Sequence, residues 1–123
     1  MGNLFRCGGN APQLLAQGEL EIASTNDPGV LLPLEVNAAY MLIAVTINKT
    51  NGTLRCYRER IIYTSLRTDT GVPVYAQVDN GSGGTGTVSF TYATTDVESF
   101  SVTIKPSSVS YNLRYSFFKL SQF

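Results

Sequence analysis

The C-terminal third of the chain alternates apolar and polar side chains: Val88, Phe90 and Tyr92 interleave with Ser89 and Thr91, and Phe100, Val102 and Ile104 interleave with Ser99, Ser101 and Thr103. Successive side chains of an extended strand point to opposite faces, so a period of two predicts strands with one buried and one wet face. A third run keeps the rule for longer, with Val109, Tyr111, Leu113, Tyr115 and Phe117 set against Ser110, Asn112, Arg114 and Ser116. Antiparallel strands of this kind pack as layers over a shared core.

Upstream the pattern is less regular. Gly18 to Ser24 predicts a strand with Leu20 and Ile22 on one face and Glu19 and Glu21 on the other, closed by the turn Asn26-Asp27-Pro28-Gly29. Val30 to Val36 predicts a second strand, and Pro33, which has no N–H to donate, places it at an edge. Ala39 to Thr50 is apolar almost throughout and reads as a strand buried on both faces.

Asn51-Gly52 predicts a type I′ hairpin with Thr50 opposite Thr53 and Ile47 opposite Cys56. That register sets Arg58 and Arg60 against Val45 and Ile43, a poor fit for a core that a bulge between Cys56 and Ile61 would relieve. The returning strand runs to about Leu66, Asp69-Thr70-Gly71 turns the chain, and Pro73 to Asp79 forms the next strand. The Gly-rich stretch from Asp79 to Gly86 reads as a flexible loop.

With a last turn at Pro106-Ser107-Ser108, about eight strands predict an all-β fold, an antiparallel β-sandwich or a jelly-roll-like barrel. Residues 1–17, interrupted by Gly8, Gly9 and Pro12, read as an N-terminal arm with Leu4, Phe5, Leu14 and Leu15 as apolar anchors. Residues 18–123 then form one domain.

Composition narrows the function. Nine basic and nine acidic residues cancel, so no long-range field steers the chain toward nucleic acid or an anionic membrane, and neither is expected as a partner. No run of eighteen apolar residues predicts a membrane span. The start of the chain lacks the apolar core of a secretory leader, so synthesis in the cytoplasm and free thiols at Cys7 and Cys56 are expected. Charged residues are 15% of the chain, against about a quarter in typical domains, and Ser, Thr, Asn and Gly take the polar positions. Such a surface suits a protein that associates, and a homo-oligomer is expected.

Chemistry is scarce. The chain has no histidine, which excludes imidazole-based triads and thins the metal-ligand sets, so no catalytic residue, metal site or cofactor is expected. Asp69-Thr70-Gly71 matches the Asp-Thr-Gly of aspartic proteases, but Arg67, Thr68 and Val72 flank it where a dry carboxylate pair needs apolar neighbours. An ordinary turn is expected, and a protease using Asp69 is the enzyme alternative. Gly81, Gly83 and Gly86 fit G-x-G-x-x-G as a string but lead into a strand, not the helix a dinucleotide site needs.

Three groups of residues remain as binding candidates. The loop Asp79, Asn80, Gly81, Ser82, Gly83, Gly84 and Thr85 offers free amides to a ligand or a neighbouring subunit. Arg55, Arg58, Arg60 and Arg67 crowd one strand and are expected to pair with Glu59, Glu19 or Glu21, or to cross a subunit boundary. Tyr57, Tyr63 and Tyr75 are the free aromatic platforms for a second function, a carbohydrate-binding module with a glycan partner.

The opening Met1-Gly2-Asn3-Leu4-Phe5-Arg6-Cys7-Gly8-Gly9 resembles the start of small tail-associated proteins encoded by prophages of gut Firmicutes. The resemblance covers nine residues and a shared style of Gly-rich arm, Ser/Thr-faced strands and low charge. It implies a phage virion component, part of a tail, baseplate or fibre, whose partners are copies of itself or other virion proteins. It assigns no functional residue.

Overall fold

The computed structural model describes residues 11–83 and 85–123, with the side chain of residue 85 left out. The expected anchors Leu4 and Phe5, as well as Cys7 and Gly84, lie outside the described residues. Eight strands form in chain order: β1 (Gln13–Leu20), β2 (Val30–Pro33), β3 (Ala38–Asn48), β4 (Leu54–Leu66), β5 (Pro73–Gly83), β6 (Val88–Ala93), β7 (Ser101–Pro106) and β8 (Tyr111–Gln122). They make two antiparallel sheets, β1-β8-β3-β4-β5 and β2-β7-β6, packed as a sandwich. The first strand pairs with the last and the second with the last but one, a nested wrapping, while β3, β4 and β5 run on as a meander. Among the described residues there is no α-helix, only the single 3₁₀ turns Thr85–Thr87 and Val97–Ser99. Asp96 caps the second, accepting from the Glu98 and Ser99 amides at 2.9 and 2.8 Å.

The alternation seen in sequence builds the core. Tyr40, Leu42 and Ala44 of β3, Cys56 and Ile62 of β4, and Leu113 and Phe117 of β8 face Leu32, Val88, Phe100, Val102 and Ile104 across the sandwich. Tyr40 and Phe117 stack with ring centres 5.2 Å apart, and burying one such side chain stabilises by about 1.5–3 kcal/mol. Most polar side-chain groups caught inside find partners, Asn112 Oδ1 being left without one among the described residues. Thr46 of β3 and Thr87 of the 3₁₀ turn before β6 share a 2.7 Å hydroxyl contact, and Thr64 accepts from the Ala38 amide and donates to the Glu35 carbonyl. Pro33 sits on an edge strand, where a residue without an N–H leaves no ladder bond unmade.

Four expectations are corrected. The first strand begins at Gln13, not Gly18, so Leu14 and Leu15 belong to β1 and not to an arm; a bulge at Leu15 breaks the alternation that would have revealed it. The β3–β4 connection is a four-residue loop, closed by Asn48 N–H to the Thr53 carbonyl, with Gly52 at φ 72° and Asn51 not at positive φ. Thr46, not Ile47, therefore faces Cys56, and the irregularity lies at Arg55. The Gly-rich segment expected to be a loop is strand as far as Gly83, because β5 presses on β4. A Cβ on Gly81 would collide with the Tyr57 carbonyl and the Arg58 side chain. Finally, β3 is fully buried on one face only, and its second apolar face is buried in part.

Candidate binding surfaces

The shift in register does not take Arg60 out of the core. It stands opposite Leu42 on the inward face of β4 and is 8% exposed. A guanidinium there needs partners for its donors, and two side chains accept from it. Asp79, its cross-strand neighbour on β5, takes a two-pronged ion pair, Nε to Oδ1 at 2.5 Å and Nη2 to Oδ2 at 2.8 Å. Nη1 donates to the Tyr92 hydroxyl of the facing sheet at 3.1 Å, and that hydroxyl donates on to Gln77 Oε1 at 2.7 Å. The guanidinium carbon lies 3.7 Å above the Phe90 ring. Tyr92 then stacks on Tyr75, centres 3.7 Å apart and 13° from parallel.

The electrostatics follow from the contacts. The hydrogen bonds from Arg60, reinforced by its charge, hold the Asp79 carboxyl below the usual carboxylate value. Burial pulls the Arg60 value down, but hydrogen bonds to Asp79 and Tyr92 outweigh it and the net shift is upward. Burial raises the Tyr92 phenol against the opposing pull of Arg60. The cluster clamps the margin of β5 to β6, and it fixes the ring of Tyr75 at the open edge.

Beside Tyr75 lies an open hollow of about 300 Å³, walled by the β4–β5 turn (Arg67, Thr70, Val72), by Pro73 and Val74 of β5, and by Thr94 of the facing layer. On the opposite side of the sandwich, between the edges of β1 and β2, a groove of about 430 Å³ is lined by apolar groups including Leu15, Leu31, Leu34, Tyr115 and Phe117.

The outward face of the five-stranded sheet carries the largest organised feature. Register pairs Leu14 with Phe118, Phe118 with Met41, Met41 with Ile61, and Ile61 with Val78, so one apolar row crosses all five strands. Its ends are open, Val78 at 58% and Leu14 at 48% exposure, and Tyr63 beside it is 44% exposed. The flanking row toward the β3–β4 loop turns polar, with Gln17, Ser116, Glu59 and Asn80 around Ile43.

The expected site residues are scattered over these features. Asp79 is in the clamp, Asn80 and Ser82 lie on the outward face of β5, and Gly81 and Gly83 lie against β4, so the predicted contact loop is largely a strand margin. Leu14 ends the apolar row, and Leu15 lines the groove. The arginines do not pair as expected: Arg60 takes Asp79, Arg67 takes Asp69, and Glu19, Glu21 and Glu35 pair with Arg114, Lys49 and Lys119. Asp69 is exposed and held by Arg67 at 2.7 Å, which is not the dry setting a protease carboxylate requires. Tyr57 donates to Glu59 at 2.7 Å on the outward face. Cys56 is buried and unpaired, and no group of three metal-ligating side chains occurs among the described residues.

The clamp and the apolar row both escaped the sequence reading. Each is made by strand neighbours far apart in the chain, and only the residue types, an arginine in an otherwise apolar stretch and a strand apolar on both faces, hinted at them. Comparison with protein-family models, with curated proteins and with solved structures finds no match, so function is argued from the geometry.

Proposed function

We propose that the chain is a non-catalytic assembly protein that associates with copies of itself through the outward face of its five-stranded sheet. The row Leu14, Phe118, Met41, Ile61 and Val78 is the observation that carries this reading. β3 has the composition of a strand covered on both faces, and the lone chain buries one fully and the other only in part.

The row suits a second copy. At about 4.8 Å between strands it spans about 19 Å, the full width of the sheet. A twofold axis in the plane of the interface, along the strands or across them, lays such a row on itself with Met41 of the middle strand at the centre. With no net charge on the chain, the two copies do not repel. With its neighbours Ile43, Tyr63 and Ala76, the row makes a patch that we take as on the order of 400 Å², the usual size of the largest apolar patch on a single chain. Burying it twice gives about 800 Å², below a standard stable interface, so a single contact is reversible and several copies are needed for a lasting assembly.

The resemblance at the N-terminus suggests the particle: a phage tail, baseplate or fibre in which many copies meet. Sedimentation over a range of concentrations tests the reading. The wild-type chain should gain mass as concentration rises, and Ile61→Glu, which buries a charge in the middle of the row, should stay monomeric. A wild-type chain that remains a monomer throughout contradicts it.

A further inference from the structure

We propose that the hollow beside Tyr75 binds a single neutral pyranose ring, a property independent of self-association. The platform is prepared in advance. Tyr75 stacks on Tyr92, whose hydroxyl is tied to Arg60 and Gln77, so the ring has little freedom left to lose when a ligand settles on it. One face of Tyr75 is taken by Tyr92, and the residue, 39% exposed, lines the hollow. A pyranose presents a flat array of C–H groups to such a ring and hydroxyls around its rim.

Partners for those hydroxyls converge on the hollow from both layers. The Thr94 hydroxyl makes no hydrogen bond among the described residues. The Thr70 hydroxyl accepts from the Val72 amide at 3.4 Å and keeps its own proton to donate. Arg67 at the rim is already neutralised by Asp69 through two contacts of 3.1 and 2.7 Å, which favours an uncharged sugar over an anionic one. A volume of about 300 Å³ sits at the small end of ligand sites and suits one ring. So few contacts predict weak, millimolar binding.

The test is an amide chemical-shift titration of the full chain with methyl β-D-glucopyranoside, methyl β-D-galactopyranoside and N-acetylglucosamine, with N-acetylneuraminic acid as the anionic arm. At least one neutral sugar should give saturable shifts centred on Val72, Val74, Tyr75 and Thr94. Tyr75→Ala should weaken binding by about tenfold or more, Tyr75→Phe should retain it, and Thr94→Val should weaken it several-fold. Should Tyr75→Ala disturb the clamp, Thr94→Val reads the site without touching the ring. The proposal is overturned by the absence of saturable shifts with every neutral sugar, by binding undiminished in both Tyr75→Ala and Thr94→Val, or by binding of N-acetylneuraminic acid alone.

Discussion

Arg60 and Asp79 are direct cross-strand partners on β4 and β5, and their two-pronged ion pair is what allows a guanidinium to stand in the apolar interior beside Leu42. Removing Asp79 leaves that charge nearly buried with the Tyr92 hydroxyl and the face of Phe90 and no counter-charge among these contacts. Asp79→Ala should cost about 2–3 kcal/mol, below the full range for breaking a buried pair because the carboxylate is partly open to water. Arg60→Met, which removes the charge and keeps the stem, should cost less, and the double variant should be more stable than Asp79→Ala alone. Urea midpoints of the three variants check the order.

The same pair sets the response to acid. A carboxyl held low in the folded chain contributes stability that is present above the unfolded value of about 4 and is lost as pH falls through the folded value. The gap in stability between wild type and Asp79→Asn should therefore be constant near neutrality and shrink below about pH 4. The Tyr40 and Tyr92 phenols, raised chiefly by burial, act at the other end. Their contribution is complete below about pH 10 and disappears as pH rises through their higher folded values. Denaturation midpoints measured across pH should show both limbs.

The glycines of β5 are places of close approach and not of flexibility. Gly81→Ala should cost about 1–3 kcal/mol, because the new methyl meets the Tyr57 backbone carbonyl, which cannot swing aside. Gly86→Ala, with open space around it and no left-handed backbone, should be close to neutral. Thermal melts of the two variants separate the effects, and equal melting temperatures would refute the assigned role of Gly81.

Much of the architecture was legible. The strict alternation of β6, β7 and β8 gave their inward faces, and Pro33 marked an edge strand. What failed did so for local reasons. β1 is an edge strand with no fully buried position and a bulge at Leu15, so its pattern is weak. Gly81 and Gly83 look like a loop by composition, since contact with a neighbouring backbone leaves no trace in their own sequence. The Arg60 clamp joins residues 19 and 32 positions apart, and the apolar row joins five strands whose order no local pattern encodes. Both depend on which strands become neighbours, and that is decided by the whole chain.

Met41 offers the most direct test of self-association, because it is the midpoint of the row on the middle strand and should lie opposite its own copy. In a Cys7→Ser background, where the remaining Cys56 is buried, Met41→Cys should be joined to a second chain by a short thiol-specific cross-linker. Val97→Cys, exposed on the 3₁₀ turn away from that face, serves as the control. Efficient dimer formation through position 41 with little through position 97 is the predicted result; equal yields from the two positions, or none from position 41, would contradict the account.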